Sequence, residues 1–402
     1  MTSDSNGVRA ALPLFRTRVS PAARARLLAT LDSGWLGYGP QCRQLEERFT
    51  AGRGGWALAT SSCTSALYLA GRLVRALAGG EQPEIIVPSV SFVASGMAFL
   101  QAGVRPVVAE VGAEGLLLTA QGARHALSAN TRAVLAVHLY GQRCPALAAL
   151  RAFADEHHLL LIEDCAHRVD LLDQVAPSGD LLCYSFNAVK ELPGGEGGLL
   201  WGRDRRHEAW VRPVSNLGLA VDTVQRTAAL RHADYAFAAD TGLKLRGNDV
   251  AASLVNAAIE SLAASRAQRR EQFRRYDRLL AGLAADVRPL QRRDNDSCLM
   301  YVIRVAAQRR DALRTSMANA GVATSVHYPS LARHPLFGSD RPRACCGDQD
   351  ETVVTLPTFA ELTADDQQHI VATLAAALAG ARSSPTPPAS AAGAQPRSMR
   401  VR

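Results

Sequence analysis

Lysine is almost absent from this chain: of 45 Lys and Arg residues, only Lys190 and Lys244 are lysines. No run approaches the roughly 18 consecutive apolar residues of a membrane span. The eight cysteines (Cys42, Cys63, Cys144, Cys165, Cys183, Cys298, Cys345 and Cys346) are scattered without a C-x-x-C pair, and Met1 to Ala10 lacks the basic-then-apolar pattern of a secretory signal. These gaps argue against a helical membrane protein and a disulfide-stapled secreted fold. They lead us to expect reduced thiols in the cytoplasm.

At 402 residues, with 48% apolar and 20% charged side chains, the chain has material for a large core and for two or three structural units. Its net charge of +8 does not point to nucleic acid. The arginines are spread, and the cluster Arg266, Arg269, Arg270, Arg274, Arg275 reads as the wet face of a helix without interleaved aromatics or zinc spacing. No nucleic-acid or membrane partner is expected.

Arginine serves wherever a cation only has to be solvated or paired. A guanidinium cannot be deprotonated in a protein, so it cannot attack a carbonyl carbon. A lysine kept in so arginine-rich a chain is therefore a candidate for amine chemistry, above all a Schiff base. Lys190 stands in Ser185-Phe186-Asn187-Ala188-Val189-Lys190, followed by Gly194-Gly195-Glu196-Gly197-Gly198.

Ser20-Pro21 opens a first helix through about Leu31, and a loop from Gly34 to Pro40 precedes a second helix, about Cys42 to Thr50. The strand Trp56–Ala59 leads into Thr60-Ser61-Ser62-Cys63-Thr64-Ser65, small residues opening a helix, which is an arrangement suited to an anion. Short apolar strands then alternate with helices: Glu84–Val87, Pro106–Ala109, Ala133–Val137, Leu159–Ile162, Leu181–Tyr184 and Gly198–Trp201. Such a pattern predicts an α/β fold with a largely parallel sheet covered on both faces, its ligand beyond the C-terminal strand ends. Phe92, Asp164 and His167 fall at such ends.

The second half reads as a smaller α+β unit. It has a long helix from Asn248 to about Leu283, strands Cys298–Val305 and Ala323–His327, a helix Gln308–Ala320, and a closing helix Thr363–Leu378 with Asp366 in a capping-box position. We divide the chain into an N-terminal arm and large domain (1–246), a small domain (247–380) and a disordered Ser-, Pro- and Ala-rich tail (381–402).

A lysine that binds pyridoxal phosphate (PLP) needs a carboxylate for the pyridine nitrogen, a ring for the pyridine face, donors for the phosphate and a contact to the phenolic oxygen. Asp164, Phe92, the Ser62-Cys63-Thr64 turn with Ser185, and His167 are candidates for these places. Each has a plain structural role in isolation: a helix cap, a core ring, a hydrogen-bonded histidine. Their order beside Lys190 favours PLP.

From Leu12 to about Gly380 the chain resembles the DegT/DnrJ/EryC1/StrS family of PLP-dependent sugar aminotransferases, of the aspartate-aminotransferase-like fold type I. The resemblance rests on Gly34-Trp35-Leu36 with Tyr38-Gly39-Pro40, Ser62 to Leu67, Pro88 to Phe92, Val137 to Gln142 and Glu163-Asp164. It rests further on the Lys190 segment, on Gly242 to Arg246, and on Val326-His327-Tyr328-Pro329. It implies Lys190 as Schiff-base lysine and proton shuttle and Asp164 as pyridinium partner. Phe92 would be the stacking ring, Ser62, Cys63, Thr64 and Ser185 the phosphate ligands, and His167, where Gln is commoner, the phenolic contact. It places Trp35, Tyr38, Arg246, His327 and Tyr328 around the substrate and implies no metal. It further implies a homodimer with shared active sites, in which Lys244 reaches the neighbour's phosphate.

The activity so implied is amino transfer from an amino acid, glutamate first, to a keto sugar, nucleotide-linked, in amino-sugar or antibiotic biosynthesis. A keto-cyclitol acceptor is the alternative, and a PLP-binding accessory subunit with little turnover the rival from another class. Related sugar dehydratases carry His in place of the lysine, so retention of Lys190 disfavours a dehydratase.

Overall fold

Side-chain caps start the helices near where the sequence places them. Ser20 Oγ accepts from Ala23 N at 3.1 Å ahead of α1 (Pro21–Asp32), whose first residue is a proline with no amide proton to satisfy. Ser62 Oγ accepts from Ser65 N at 3.0 Å ahead of α3 (Cys63–Leu77). Between them lie α2 (Pro40–Thr50) and β1 (Trp56–Thr60). The computed structural model describes residues 10–80, 82–172, 176–220, 237, 240–337 and 349–383.

The chain continues through β2 (Glu84–Pro88), α4 (Ala94–Gln101), β3 (Arg105–Ala109), α5 (Ala120–Ala126), β4 (Thr131–Val137), α6 (Leu147–Glu156), β5 (Leu160–Cys165), β6 (Leu181–Ser185), β7 (Gly198–Gly202) and α7 (Arg205–Val214). Seven strands form one sheet in the order β1-β7-β6-β5-β4-β2-β3. The pairs from β6 to β3 are parallel, whereas β7 runs antiparallel to both β6 and β1. The largely parallel sheet of an α/β fold, expected from the alternation of strands and helices, is thus present. Both faces are covered: Trp56 and Leu58 of β1 join one core, Ala57 and Ala59 the other. That explains why these strands read as continuous apolar runs.

A third core surrounds a three-stranded antiparallel sheet, β10-β9-β8. Its elements are α8 (Asp249–Glu260), α9 (Leu262–Leu280), β8 (Arg288–Pro289), β9 (Tyr301–Arg304), α10 (Ala307–Asn319), β10 (Val353–Leu356) and α11 (Ala364–Ser383). The predicted long helix breaks at Ser261, the residue shared by α8 and α9. The capping box at Thr363 is formed: Asp366 N donates to Thr363 Oγ1 at 3.1 Å, and Asp366 Oδ2 accepts from Thr363 N at 3.0 Å.

Two expectations are corrected. Ala323–His327 is not a strand, because only Ser325 bridges Thr355 before the chain crosses to the large sheet, where Ser330 bridges Val90. The final helix extends through Ser383, three residues into the expected tail, and 384–402 lie outside the described residues. No helix among the described residues is long and apolar enough to cross a membrane.

Candidate active site

The reversed strand β7 assembles the anion end of the site. Gly198 pairs with Thr60 on one side and with Ser185 on the other, so the hydroxyl of Ser185 and the first turn of α3 meet at one level of the sheet. A Cβ at Gly198 would lie 2.5 Å from Cys63 N, so glycine is required for β7 to start against that turn. The first amides of a helix have no intrahelical acceptor. Ser65 N is taken by Ser62 Oγ, which leaves those of Cys63 and Thr64 at the open end. The Cys63 side chain turns inward instead, with Sγ 4.0 Å from Asp164 Oδ1 and 3.6 Å from the Cys183 carbonyl.

Asp164 closes β5 and is buried. Ser95 Oγ donates to its Oδ2 at 2.7 Å and Ala166 N to its Oδ1 at 3.0 Å, so the carboxylate is fixed in orientation with acceptor capacity to spare. Lys190 lies on an excursion between β6 and β7 that is pinned at its neck. Ala188 N donates to Gly195 O at 2.8 Å and Gly194 N to Phe186 O at 2.7 Å. Burial pushes the Lys190 ammonium below its usual range, while the Cys63 thiol and the Asp164 carboxylate pull the other way. An amine biased toward its neutral, nucleophilic form thus faces a fixed carboxylate.

His167 has a defined tautomer. Its Nδ1 accepts from Tyr140 N at 3.1 Å, so the proton of the neutral ring resides on Nε2 and is given to Tyr328 Oη at 3.2 Å. Burial, then Lys190 and His327, hold its pKa well below the usual imidazole value. Tyr328 also meets Phe92, ring centres 5.5 Å apart, and Phe92 is 53% exposed, a large apolar face left open at this end of the sheet. His327 Nδ1 pairs with Thr355 Oγ1 at 2.8 Å, its carbonyl accepts from Tyr140 Oη, and burial lowers its pKa to about 4.

Trp35, Tyr38 and Arg246 gather around a different centre. Tyr38 Oη donates to Glu46 Oε1 at 2.6 Å, Arg212 joins that carboxylate at 3.1 Å, and Arg246 lies over the Tyr38 ring at 4.9 Å. The Trp35 indole occupies the space a Cβ on Gly39 would need. Asp249 accepts from Gly39 N, Gln41 N and Cys42 N at 2.9–3.0 Å, which fixes this loop. Lys244 is exposed beside Asn216. Sequence reasoning missed Ser95, Tyr140, Glu46 and Asp249. A serine one turn after Phe92 was the available clue to Ser95, whereas the other three act through partners remote in the chain. Buried His138, Glu163 and Cys165 also cluster, but both His138 nitrogens are engaged, by Glu163 at 2.8 Å and by Cys144 N at 3.1 Å.

Residues 19–375 match the model of the DegT/DnrJ/EryC1/StrS aminotransferase family. The chain belongs to that family. Among solved structures it resembles the aminotransferase TlmJ from Streptoalloteichus hindustanus (TM-score 0.83, 27% identity, covering 92% of this chain and 100% of that one). It also resembles the sugar aminotransferase CalS13 from Micromonospora echinospora (0.78, 27%, 91% and 99%). A third similar structure is DesI, described in the presence of its TDP-sugar product (0.78, 26%, 93% and 95%).

This DegT-family protein is a PLP-dependent aminotransferase. Its residues fit the cofactor. A neutral-leaning amine, an oriented carboxylate, an open aromatic face and a turn of free amides beside a serine hydroxyl are the donor set that PLP requires.

Proposed function

We propose that this aminotransferase takes the amino group of an L-amino acid, glutamate first, and gives it to a nucleotide-linked keto sugar. The family supports the sugar acceptor, and the TDP-sugar product of DesI supports the nucleotide. The observation that carries the reading is Lys190, an amine biased to neutrality within Coulombic reach of Asp164 and Cys63.

When bound, PLP supplies a protonated ring that draws electrons from the substrate carbon. Lys190 holds the cofactor between turnovers and, once released, takes and returns a proton at Nζ. Only a neutral amine does this, and burial shifts Lys190 in that direction. Asp164, held by Ser95, keeps the pyridine nitrogen protonated. Phe92 covers a ring face. Ser62, Ser185 and the amides of Cys63 and Thr64 take the phosphate. His167, with its proton on Nε2, is a donor at the phenolic side. Arg246, His327 and Tyr328 border the acceptor, with Trp35 and Tyr38 shaping the loop behind Arg246. In a homodimer, exposed Lys244 reaches the neighbour's phosphate.

Glutamate added to purified holoenzyme should abolish the visible absorption of the bound cofactor, and a panel of keto-sugar nucleotides and inososes should then restore it. Restoration by an inosose alone would reassign the acceptor to the cyclitols. In Lys190→Arg the original visible band should be missing and turnover should fall by at least the ~10²–10⁴-fold typical of a lost proton shuttle. An unchanged band in that variant would remove Lys190 from its role.

A further inference from the structure

A short chain of hydrogen bonds runs from Tyr140 through His167 to Tyr328, and its last proton is unspent. Tyr140 sits at φ 61°, in the left-handed region, one position before Gly141 at φ 93°. From that turn its amide donates to His167 Nδ1 at 3.1 Å, while its hydroxyl donates to the carbonyl of His327. One residue thus holds His167 and the position before Tyr328 together. The segment ahead of β9 braces the arrangement, because Met300 N donates to the Tyr140 carbonyl at 3.3 Å and Ser297 Oγ to that of His167 at 3.2 Å.

The direction of the chain is fixed from one end. A backbone amide can only donate, so Nδ1 is an acceptor and the single hydrogen of the neutral imidazole is on Nε2. That hydrogen goes to Tyr328 Oη at 3.2 Å. A second ring proton is opposed by burial and by the nearby Lys190 and His327. Tyr328 Oη therefore accepts from His167, and its own O–H has no acceptor among the described residues. The half-buried Tyr328 ring lies with its centre 5.5 Å from that of Phe92 and 5.9 Å from that of His167, within Coulombic reach of Asp164.

We propose that Tyr328 is the residue that donates to the cofactor's phenolic oxygen, with His167 and Tyr140 as the positioning residues that aim it. His167 has one ring hydrogen and spends it on Tyr328, so its service to the phenolic side passes through that hydroxyl. Position agrees, because the hydroxyl belongs to a ring set against Phe92 and felt by Asp164. A hydrogen bond to the phenolic oxygen stabilises its anion. The anion then holds less firmly the proton on the nitrogen that joins Lys190 to the cofactor. Tyr328 thereby sets the pH at which that nitrogen loses its proton. The other titratable groups facing the pair are Asp164, Lys190 and His327, of which His327 titrates near 4. The inference rests on the reading of His167 given above and moves the contact one residue along.

The test is the midpoint pH of the holoenzyme's visible band, read by absorbance titration without substrate from about pH 6 to 10. Tyr328→Phe keeps the ring against Phe92 and removes only the hydroxyl. Its midpoint should rise by about one pH unit, a tenfold change in proton affinity. His167→Leu should move the midpoint the same way by less, since the tyrosine is kept but no longer aimed. His167→Gln retains an N–H donor and should return it to within about 0.3 unit of wild type. Tyr328→Phe combined with His167→Leu should shift no further than Tyr328→Phe alone, because His167 acts through the hydroxyl. A Tyr328→Phe midpoint within about 0.2 unit of wild type would overturn the assignment. In that event a shift in His167→Leu would make His167 the direct contact, and no shift in either variant would remove His167 from the phenolic side as well.

Discussion

Lys190 and Glu191 are neighbours in the chain and opposites in electrostatics. Glu191 is buried with both oxygens on Arg266 and a backbone amide besides, so its charge is held in place. Lys190 sits one residue away with no ion pair among the described residues, and burial drives it toward neutrality, as it does His167 and His327. The same loss of water is answered by pairing in one region and by a shift toward the neutral form in the other. The paired region ties together three segments: the Lys190 excursion, the loop after His167 through Val169, and α9. It is the frame against which the Lys190 amine is positioned.

The largest effect should come from breaking the pair. Arg266→Leu leaves the Glu191 carboxylate buried without its cation and should cost about 3–5 kcal/mol of stability, read by urea denaturation. Adding Glu191→Gln should recover part of that loss, because a neutral amide needs no counter-ion. If the single variant loses less than 1 kcal/mol, the pair is not the frame.

The second region can be sharpened through pH. His327 titrates near 4 in the folded protein against 6.5 when free. Between those values the unfolded chain binds more protons, so stability should fall as pH drops from about 6.5 to 4. The span corresponds to about 3 kcal/mol for this residue. His167, also depressed by burial, adds to the loss in the same direction. Melting the cofactor-free protein across this range checks the sign, and His327→Gln should flatten the slope. A wild-type profile that is flat from pH 6.5 to 4 would contradict uncompensated burial.

These two regions were unequally legible in the sequence. Strand runs, helix caps and the Thr363–Asp366 box could be read directly, because each depends on residues within a few positions of one another. The Lys190 excursion, Asp164 and the Ser62–Thr64 turn could be read as well, since each follows a strand at the same end of the sheet. The reversal of β7, the helix α7 and the strand β10 could not. Direction and pairing of a strand are set by partners far away, and Val353 to Leu356 gains its meaning only against β9. Arg266 looked like part of a solvated basic face, yet its guanidinium is buried against Glu191, 75 positions earlier. Tyr38 was read as a substrate contact, and its hydroxyl is held by Glu46. Local signals survive in a sequence, while an ion pair closed by tertiary folding leaves no periodic trace.

The smallest effect separates the two lysines themselves. Lys244 is exposed beside Asn216. If its service is a positive charge offered to the phosphate of a neighbouring protomer, an arginine does that as well, because both carry a full cation at neutral pH. Lys244→Arg should therefore change stability by no more than about 0.5 kcal/mol, the ordinary range for a surface substitution, and should leave the visible band in place. Lys244→Glu keeps the solubility of the site and reverses its charge, so cofactor affinity should weaken, and more so at low salt, where Coulombic effects reach farther. An arginine variant that lost the band would give Lys244 a chemical role and end the contrast with Lys190. A glutamate variant with unchanged affinity would place Lys244 away from any phosphate and leave Lys190 as the chain's single functional lysine.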